Sequence, residues 1–451
     1  MGSRGSEHYD VLVIGGGPGG MSAARFTRRR NQDLRVGLIR AQERSVVPCA
    51  MPYALDGTIR FDDFLKSDPR LLGEAGIELR VGRVERIDPE SRRVTVSGGG
   101  PPEVSYGELV VAVGATPVRP PIPGADLPGT FVVKDAPDIA AIRKAMDEAS
   151  AAVVVGGGYV GLEVAIAFRN AGLETHVIEM LPVCLGNVCS EGSARLALEE
   201  LRAHGIRVHT GCAAEEIVGT GRVGGVRIPG GTIPADLVVF AVGVRANTGL
   251  LAGAGAETGR LGAKVNDRMQ TSLPHVWAVG DCIEHRNFVT GEPAVGPLAT
   301  NAVVQGKTAA INITGGDRRF PGFINPSVTR LYERSYGSTG LNETRAAAAG
   351  IETVVGRARA FTRDRPFPGA GPLDLTLVFE RRTHRVIGAE CVGAEGVAER
   401  IDLLTLAVRH RLTMEDLAST HFCGHPPQTD VPARMVIVNA AEDALRKTGL
   451  L

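Results

Sequence analysis

One short pattern occurs twice in this chain and limits what it can fold into. The apolar run 10–14 ends in Gly15-Gly16-Gly17-Pro18-Gly19-Gly20 and opens onto a helical stretch at 21–25. The apolar run 152–155 ends in Gly156-Gly157-Gly158-Tyr159-Val160-Gly161 and does the same. Strand, glycine turn and helix in this order suit a dinucleotide pyrophosphate. Gly15 and Gly156 permit the tight turn, Gly17 and Gly158 let the backbone approach the phosphates, and Gly20 and Gly161 let helix and strand pack closely. A lone G-x-G-x-x-G can be a loop that is merely rich in glycine. Two similar units in one chain point to an internal duplication of a nucleotide-binding unit.

The copies differ on the ribose side. In the second, the strand 174–178 ends at Glu179, where a carboxylate hydrogen-bonds a ribose 2′-OH and repels a 2′-phosphate, so NADH is expected over NADPH. In the first, the strand 35–39 runs into Arg40, and the nearest carboxylate is Glu43, a departure from the usual acidic ribose ligand. Gly114 and Pro117 stop a third apolar strand at 106–117, and the Pro-rich run 117–128 reads as a crossover between domains. Further on, 271–281 places Asp281 at a strand's C-terminal end, where open α/β sheets bind ligands. A helix at 299–313 follows. Beyond Phe320 and Pro321 the chain turns to β-like runs at 328–336 and 373–379, with helices from Ala394 onward, a third domain.

Between the two units lies Val47-Pro48-Cys49-Ala50-Met51-Pro52-Tyr53. Proline is tolerated in the first turn of a helix, so a helix is expected to begin near Met51 with Cys49 at its positive end. Such a place lowers a thiol's pKa and makes Cys49 a candidate thiolate nucleophile. The other six cysteines, at 184, 189, 212, 282, 391 and 423, show neither a dense disulfide framework nor paired Cys-x-x-Cys metal motifs. No metal site is expected. Cys184 and Cys189 form a Cys-x4-Cys pair, but beyond the second unit and away from Cys49, and are read as packing thiols.

At 451 residues the chain has room for three domains, and 50 basic residues balance 50 acidic ones with no long block of one sign. Nothing global suggests nucleic acid or an anionic membrane. No run of about 18 apolar residues and no secretion signal is found, so a cytoplasmic protein with a small-molecule partner is expected.

Taken together, the two nucleotide units, the segment 106–117, the Ala-Val-Gly-Asp281 segment and a trailing α+β domain resemble the flavoprotein disulfide reductases along nearly the whole chain. The lone Cys49 in Pro-Cys-Ala-Met-Pro-Tyr and the stretch 336–345 resemble the branch holding coenzyme A disulfide reductase and NADH oxidase or peroxidase. The resemblance implies an α/β fold of glutathione-reductase type, with two Rossmann-like domains and a C-terminal α+β dimerisation domain. It implies an FAD domain over 8–120 and 250–322, an NAD(H) domain over 121–249 and a dimerisation domain over 323–451. FAD would lie on the first unit with Asp281 at its ribitol, NADH on the second, and Tyr159 would gate the flavin face of a homodimer.

Glutathione reductase types carry a second cysteine five residues after the first; here that position is Ala54. Without an internal partner, a thiolate at Cys49 accepts two electrons by pairing with an external sulfur or by carrying oxygen as a sulfenic acid. The expected reaction is NADH-dependent reduction of a small disulfide, coenzyme A disulfide or a related persulfide or polysulfide. The alternatives are an NADH oxidase or peroxidase and a non-catalytic flavin sensor. Coenzyme A is not singled out, since the tyrosines usual near 365–368 and 420–424 are absent and Pro48 replaces a frequent asparagine. Arg25, Arg28, Arg29 and Arg30 would meet its phosphates or stay solvated.

The segment 421–430 holds the remaining candidates. His425, followed by Pro426, and Asp430 resemble the His-Pro…Glu pair that serves as acid–base in glutathione reductase types, reaching the redox cysteine of the other subunit. A departing thiolate leaves faster when protonated, and a carboxylate can fix the histidine's tautomer. Cys423 would approach Cys49 across the interface as a resolving thiol.

Overall fold

The computed structural model describes residues 7–66 and 69–451; residues 1–6, part of the stretch searched for a secretion signal, lie outside the described residues. Three sheets organise the chain. The first places Ile77–Val81, Val36–Arg40, Glu7–Ile14 and Glu103–Val111 side by side in parallel, with Leu12 opposite Gly37 on one side and Leu109 on the other. Val276–Ala278 joins this sheet from far along the chain, with Trp277 opposite Val110. The two central stretches, Val11 to Ile14 and Val36 to Ile39, are buried at every position, which is why they read as continuous rather than alternating apolar runs.

The glycine turn after Glu7–Ile14 leads into the helix Pro18–Arg30, with Pro18 in its first turn and Arg28, Arg29 and Arg30 in its last, where cations suit the dipole. Small residues on this helix let Ala299–Ile313 approach closely. A Cβ on Gly306 would meet the carbonyl of Gly19 at 2.3 Å.

The second sheet is also parallel, in the order Thr130–Val132, Leu237–Phe240, Ala151–Val155, Glu174–Glu179, Ile206–Thr210. Its first crossover helix is Tyr159–Asn170. The third sheet is antiparallel, in the order Ser327–Leu331, Arg334–Gly340, Val386–Gly393, Pro372–Glu380, Thr353–Phe361. The run expected at 328–336 is broken into a hairpin, with Tyr332 at a φ of 49° in its turn. Helices Val397–His410 and Val436–Thr448 cover one face of this sheet through apolar residues such as Ile401, Leu404, Ala440 and Ala444. Its other face meets the second unit through apolar residues such as Leu331 and Val392 and through polar side chains. The Tyr336 hydroxyl donates to Glu200 Oε2 at 2.8 Å, and the Thr329 hydroxyl donates to Glu163 at 2.8 Å.

The helix expected near Met51 does not form. Two 3-10 turns, Pro48–Ala50 and Pro52–Ala54, stand there instead. With no N–H at position 52, Pro52 cannot bond the carbonyl of Pro48, so the first turn does not run on into the second as a continuous α-helix. The turn closes with shorter bonds instead, from Met51 N to Pro48 O at 3.2 Å and from Ala54 N to Met51 O at 3.1 Å.

Candidate active site

The two glycine turns share one geometry. A Cβ on Gly15 would lie 2.2 Å from the carbonyl of Ala112, and one on Gly156 2.4 Å from that of Ala241. Both residues also hold positive φ, 105° and 116°, so only glycine serves there. A Cβ on Gly20 or Gly161 would meet the carbonyl of Gly15 or Gly156 at 2.0 Å. At the middle glycines the situation reverses: Gly17 and Gly158 have nothing within 4 Å of a Cβ and ordinary extended angles as helix N-caps. Two turns thus keep their central glycine open toward space that the protein does not fill, which suits a pyrophosphate against each.

The rims of the cradles differ. Glu179 is half-buried at the end of its strand and accepts from the N–H of Gly157 at 2.6 Å and of Leu181 at 2.8 Å, so its carboxylate is fixed beside the second turn. Glu43 is exposed, and its carbonyl accepts from Arg40. Arg40 is itself a buried guanidinium held below its ordinary pKa by burial. Among the described residues no group donates to the carboxyl of Asp281, which burial raises and Lys134 partly offsets. A shielded carboxyl without a protein donor suits a hydroxyl-bearing ligand such as a ribitol chain. Gly114, at a φ of 66°, leaves room nearby, since a Cβ there would stand 3.8 Å from Lys134 Nζ.

Cys49 lies inside the first 3-10 turn and is exposed. Three residues form that turn, too few for a helix dipole. The expected lowering of the thiol pKa is corrected accordingly: desolvation, followed by the charge of Glu163, pushes Cys49 up. The carboxyl of Glu163 is raised by its own burial and kept in place by Thr329. Tyr53 is pushed up to about 12 by burial, by Glu163 and by Cys49. No local sequence pattern marks Glu163 or Lys134, because each matters only through a long-range approach, Glu163 to Cys49 and Lys134 to Asp281.

The seven cysteines are free. Cys184 and Cys189 are buried, with Cys184 pushed up to about 12, which makes them inert packing thiols. Of the basic helix, Arg28 is committed within the fold, donating to the carbonyls of Gln32 and Leu34 at 2.5 and 2.6 Å.

In the segment 421–430, His425 and Cys423 are exposed. Asp430 does not orient the His425 ring. Its carboxylate takes the guanidinium of Arg434 at 2.7 to 3.0 Å and the N–H groups of Phe361 at 2.9 Å and Val431 at 2.8 Å. Burial alone would lift this carboxyl, but the bonds from Arg434 and the backbone outweigh it and hold it below the usual range. The expected His425–Asp430 dyad is therefore corrected to an Asp430–Arg434 pair. The i,i+4 spacing of those two residues could have revealed it.

Paired dinucleotide cradles on successive parallel sheets, with a reactive type of side chain between them, mark an oxidoreductase that passes electrons from one nucleotide to another. Residues 9–306 match the family model for pyridine nucleotide-disulphide oxidoreductase, and residues 330–436 match the model for that family's dimerisation domain. The chain is 36% identical over 97% of its length to an NADH oxidase of Methanocaldococcus jannaschii, covering 99% of that protein. It is 33% identical over 96% of its length to a CoA-dependent NAD(P)H sulfur oxidoreductase of Pyrococcus furiosus, covering 98% of it. Among solved structures, an NAD-dependent persulfide reductase from A. fulgidus superposes with a TM-score of 0.93 at 32% identity, over 97% of this chain and 83% of that one. The chain belongs to the pyridine nucleotide-disulphide oxidoreductase family. It is an NAD(P)H-dependent flavoprotein oxidoreductase with FAD and NADH as cofactors. Among the described residues no helix is long and apolar enough to cross a membrane, and no group of His, Cys, Asp or Glu is placed to hold a metal ion.

Proposed function

We propose that this enzyme uses NADH to reduce a low-molecular-weight persulfide, polysulfide or disulfide at Cys49, with coenzyme A compounds the leading candidates. The observation that carries the proposal is a solvent-reaching cysteine with no second sulfur in its turn: Cys49 is exposed and free, and position 54 is a buried alanine. The acceptor must then bring the other sulfur. Bound FAD supplies the relay for an electron pair between nicotinamide and sulfur. The chain's part is to hold the nucleotides at Gly17 and Gly158, to offer Asp281 to the flavin's polyol and Glu179 to the NADH ribose, and to present Cys49 to the acceptor. The Cys49 sulfur attacks R–S–S–R′, forms a bond to one sulfur and expels the other as a thiolate that takes a proton. Two electrons then cleave the mixed disulfide, so that NADH, a proton and R–S–S–R′ give NAD⁺ and two thiols.

The relatives that act on sulfur compounds support this reading. Raised by burial and by Glu163, Cys49 needs a proton acceptor as well as a donor, and the Glu163 carboxyl is the acidic group whose charge reaches it. We assign His425 on its exposed loop to the same task across a dimer, at a second copy's Cys49, with Cys423 as a further thiol offered there. The dimer itself is inferred from the matched dimerisation domain. A second reading, an NADH oxidase in which Cys49 carries oxygen as a sulfenic acid, is favoured by the 36% identical Methanocaldococcus relative. Cys49→Ser separates chemistry from binding. The variant should retain FAD and its reduction by NADH yet lose turnover with sulfur acceptors; full turnover in that variant would sink the mechanism.

A further inference from the structure

The two 3-10 turns that carry Cys49 have few bonds of their own. Pro48 and Pro52 offer no N–H, and the backbone bonds from Ala50, Met51, Ala54 and Leu55 each span only three residues. Where the turns sit is therefore set by what they lie against. Pro52–Ala54 packs on the helix Tyr159–Asn170, and Met51, Ala54 and Leu55 are buried in one apolar cluster with Leu162, Ala165 and Phe168 of that helix. The helix itself is anchored on the third sheet, where Tyr159 shares a hydrogen bond with Ser327 Oγ at 3.0 Å and Glu163 accepts from Thr329 at 2.8 Å. Glu163, Ile166 and Asn170 stand at i, i+3 and i+7 and share one face. Ile166 packs into the same apolar cluster, and Glu163 is the charged group whose field reaches Cys49. At the far end of the row the Asn170 amide donates to Asp56 Oδ2 at 2.9 Å. Asp56 follows Cys49 by seven residues. Its Oδ1 accepts from the N–H of Thr58 at 3.0 Å, closing a turn over Gly57, whose φ is 80°.

We propose that the Asn170–Asp56 hydrogen bond is a clamp that keeps the Cys49 turns in place along this helix and so holds the thiol beside Glu163. Apolar contact alone is non-directional and does not fix the turns lengthwise. Without the clamp the segment shifts on the helix face, and Cys49 moves away from the carboxyl. Asn170 and Asp56 are positioning residues, acting on the thiol only through its distance from Glu163. Tyr53, on the same turns, and Tyr332, which faces Asp56, are the other titratable groups around the segment. Burial raises both, so they stay uncharged while the thiol titrates. Arg169, beside Asn170, is turned to the carbonyl of His204 at 2.8 Å. The inference rests on the proposed reading of Cys49 as the redox thiol with Glu163 as its acid–base partner.

The test uses the FAD-loaded, thiol-reduced enzyme and the pH dependence of iodoacetamide labelling, read at Cys49 by peptide mass spectrometry. Asn170→Ala, at an exposed position, and Asp56→Ala each remove the clamp. Either should lower the labelling midpoint by about half a pH unit, within what one net hydrogen bond can hold. Asp56→Asn keeps the bond, since its amide can donate to the Asn170 oxygen, and should stay within about 0.2 unit of wild type. In a Glu163→Gln background the same alanine substitutions should shift the midpoint by less than about 0.2 unit, because the group that they position the thiol against is gone. Shifts that need Glu163 and that Asp56→Asn escapes support the clamp. Unmoved midpoints in both alanine variants overturn it, as does an Asp56→Asn midpoint that falls with theirs. An equal shift with and without Glu163 also overturns it, because loosened packing alone acts in both backgrounds. A Glu163→Gln enzyme with the wild-type midpoint overturns the reading of Glu163, and the clamp with it. A clamp that fails while Glu163→Gln still lowers the midpoint leaves that reading standing.

Discussion

Gly17→Ala tests the first cradle without disturbing the fold. A Cβ at Gly17 meets nothing within 4 Å, and the residue sits at φ −72° and ψ 179°, a conformation alanine adopts freely. The apo-protein should therefore keep its stability or gain about 0.4–1 kcal/mol from a less flexible unfolded chain. With a dinucleotide against the turn, the same methyl intrudes on the pyrophosphate. If that overlap costs as much as overpacking a core, about 1–3 kcal/mol, FAD binding weakens roughly 5- to 150-fold. Gly20→Ala is the contrast, since its Cβ would meet a backbone carbonyl at 2.0 Å and must disturb the apo-fold itself. Apo-protein urea midpoints and FAD titrations, followed by flavin fluorescence, separate the two effects. A Gly17→Ala variant that binds FAD like wild type, or whose apo-form is clearly destabilised, would refute the reasoning.

Three further outcomes follow from the site. Alkylation of Cys49 in the apo-enzyme should reach half its maximal rate above the free-cysteine value of about 8.5, and Glu163→Gln should shift that midpoint down; an unmoved profile removes Glu163 from the thiol's surroundings. Wild type should show the higher kcat/KM with NADH, and Glu179→Ala should narrow its margin over NADPH; a wild-type preference for NADPH contradicts the placement of Glu179. Asp430 has a folded pKa below its unfolded one, so its stabilisation is present at neutral pH and is lost as the pH falls below about 3.9. Asp430→Asn should lower the urea midpoint at pH 7, and the difference should shrink progressively as the pH falls below about 3.9; a difference that does not shrink contradicts the ion pair.

The nucleotide cradles were legible in the sequence because their constraints are local. Gly15, Gly17 and Gly20 answer to one turn and the carbonyls beside it. Glu179 was legible for the same reason, as the end of a strand. Cys49 was legible as a residue but not in its environment: it sits in one of two short 3-10 turns rather than at a helix start, and Glu163, which lifts the thiol, arrives from a distant helix. Asp430 reads from sequence as the partner of His425 because the two share a recognisable short pattern, whereas its actual partner Arg434 carries no signal beyond i,i+4 spacing. The contacts of Glu200 with Tyr336 and of Glu163 with Thr329 were not legible, since they exist only once the second unit packs on the third sheet.

The central claim is that electrons from NADH leave through Cys49 to an external sulfur. Anaerobic NADH oxidation, measured with coenzyme A disulfide, polysulfide, glutathione disulfide and hydrogen peroxide and compared with the rate on oxygen alone, tests it most directly. The account predicts fastest turnover with a coenzyme A or polysulfide acceptor, thiol or sulfide released in proportion to NADH consumed, and loss of both in Cys49→Ser. Oxygen or peroxide turnover that exceeds every sulfur acceptor would contradict it and leave the oxidase reading in its place.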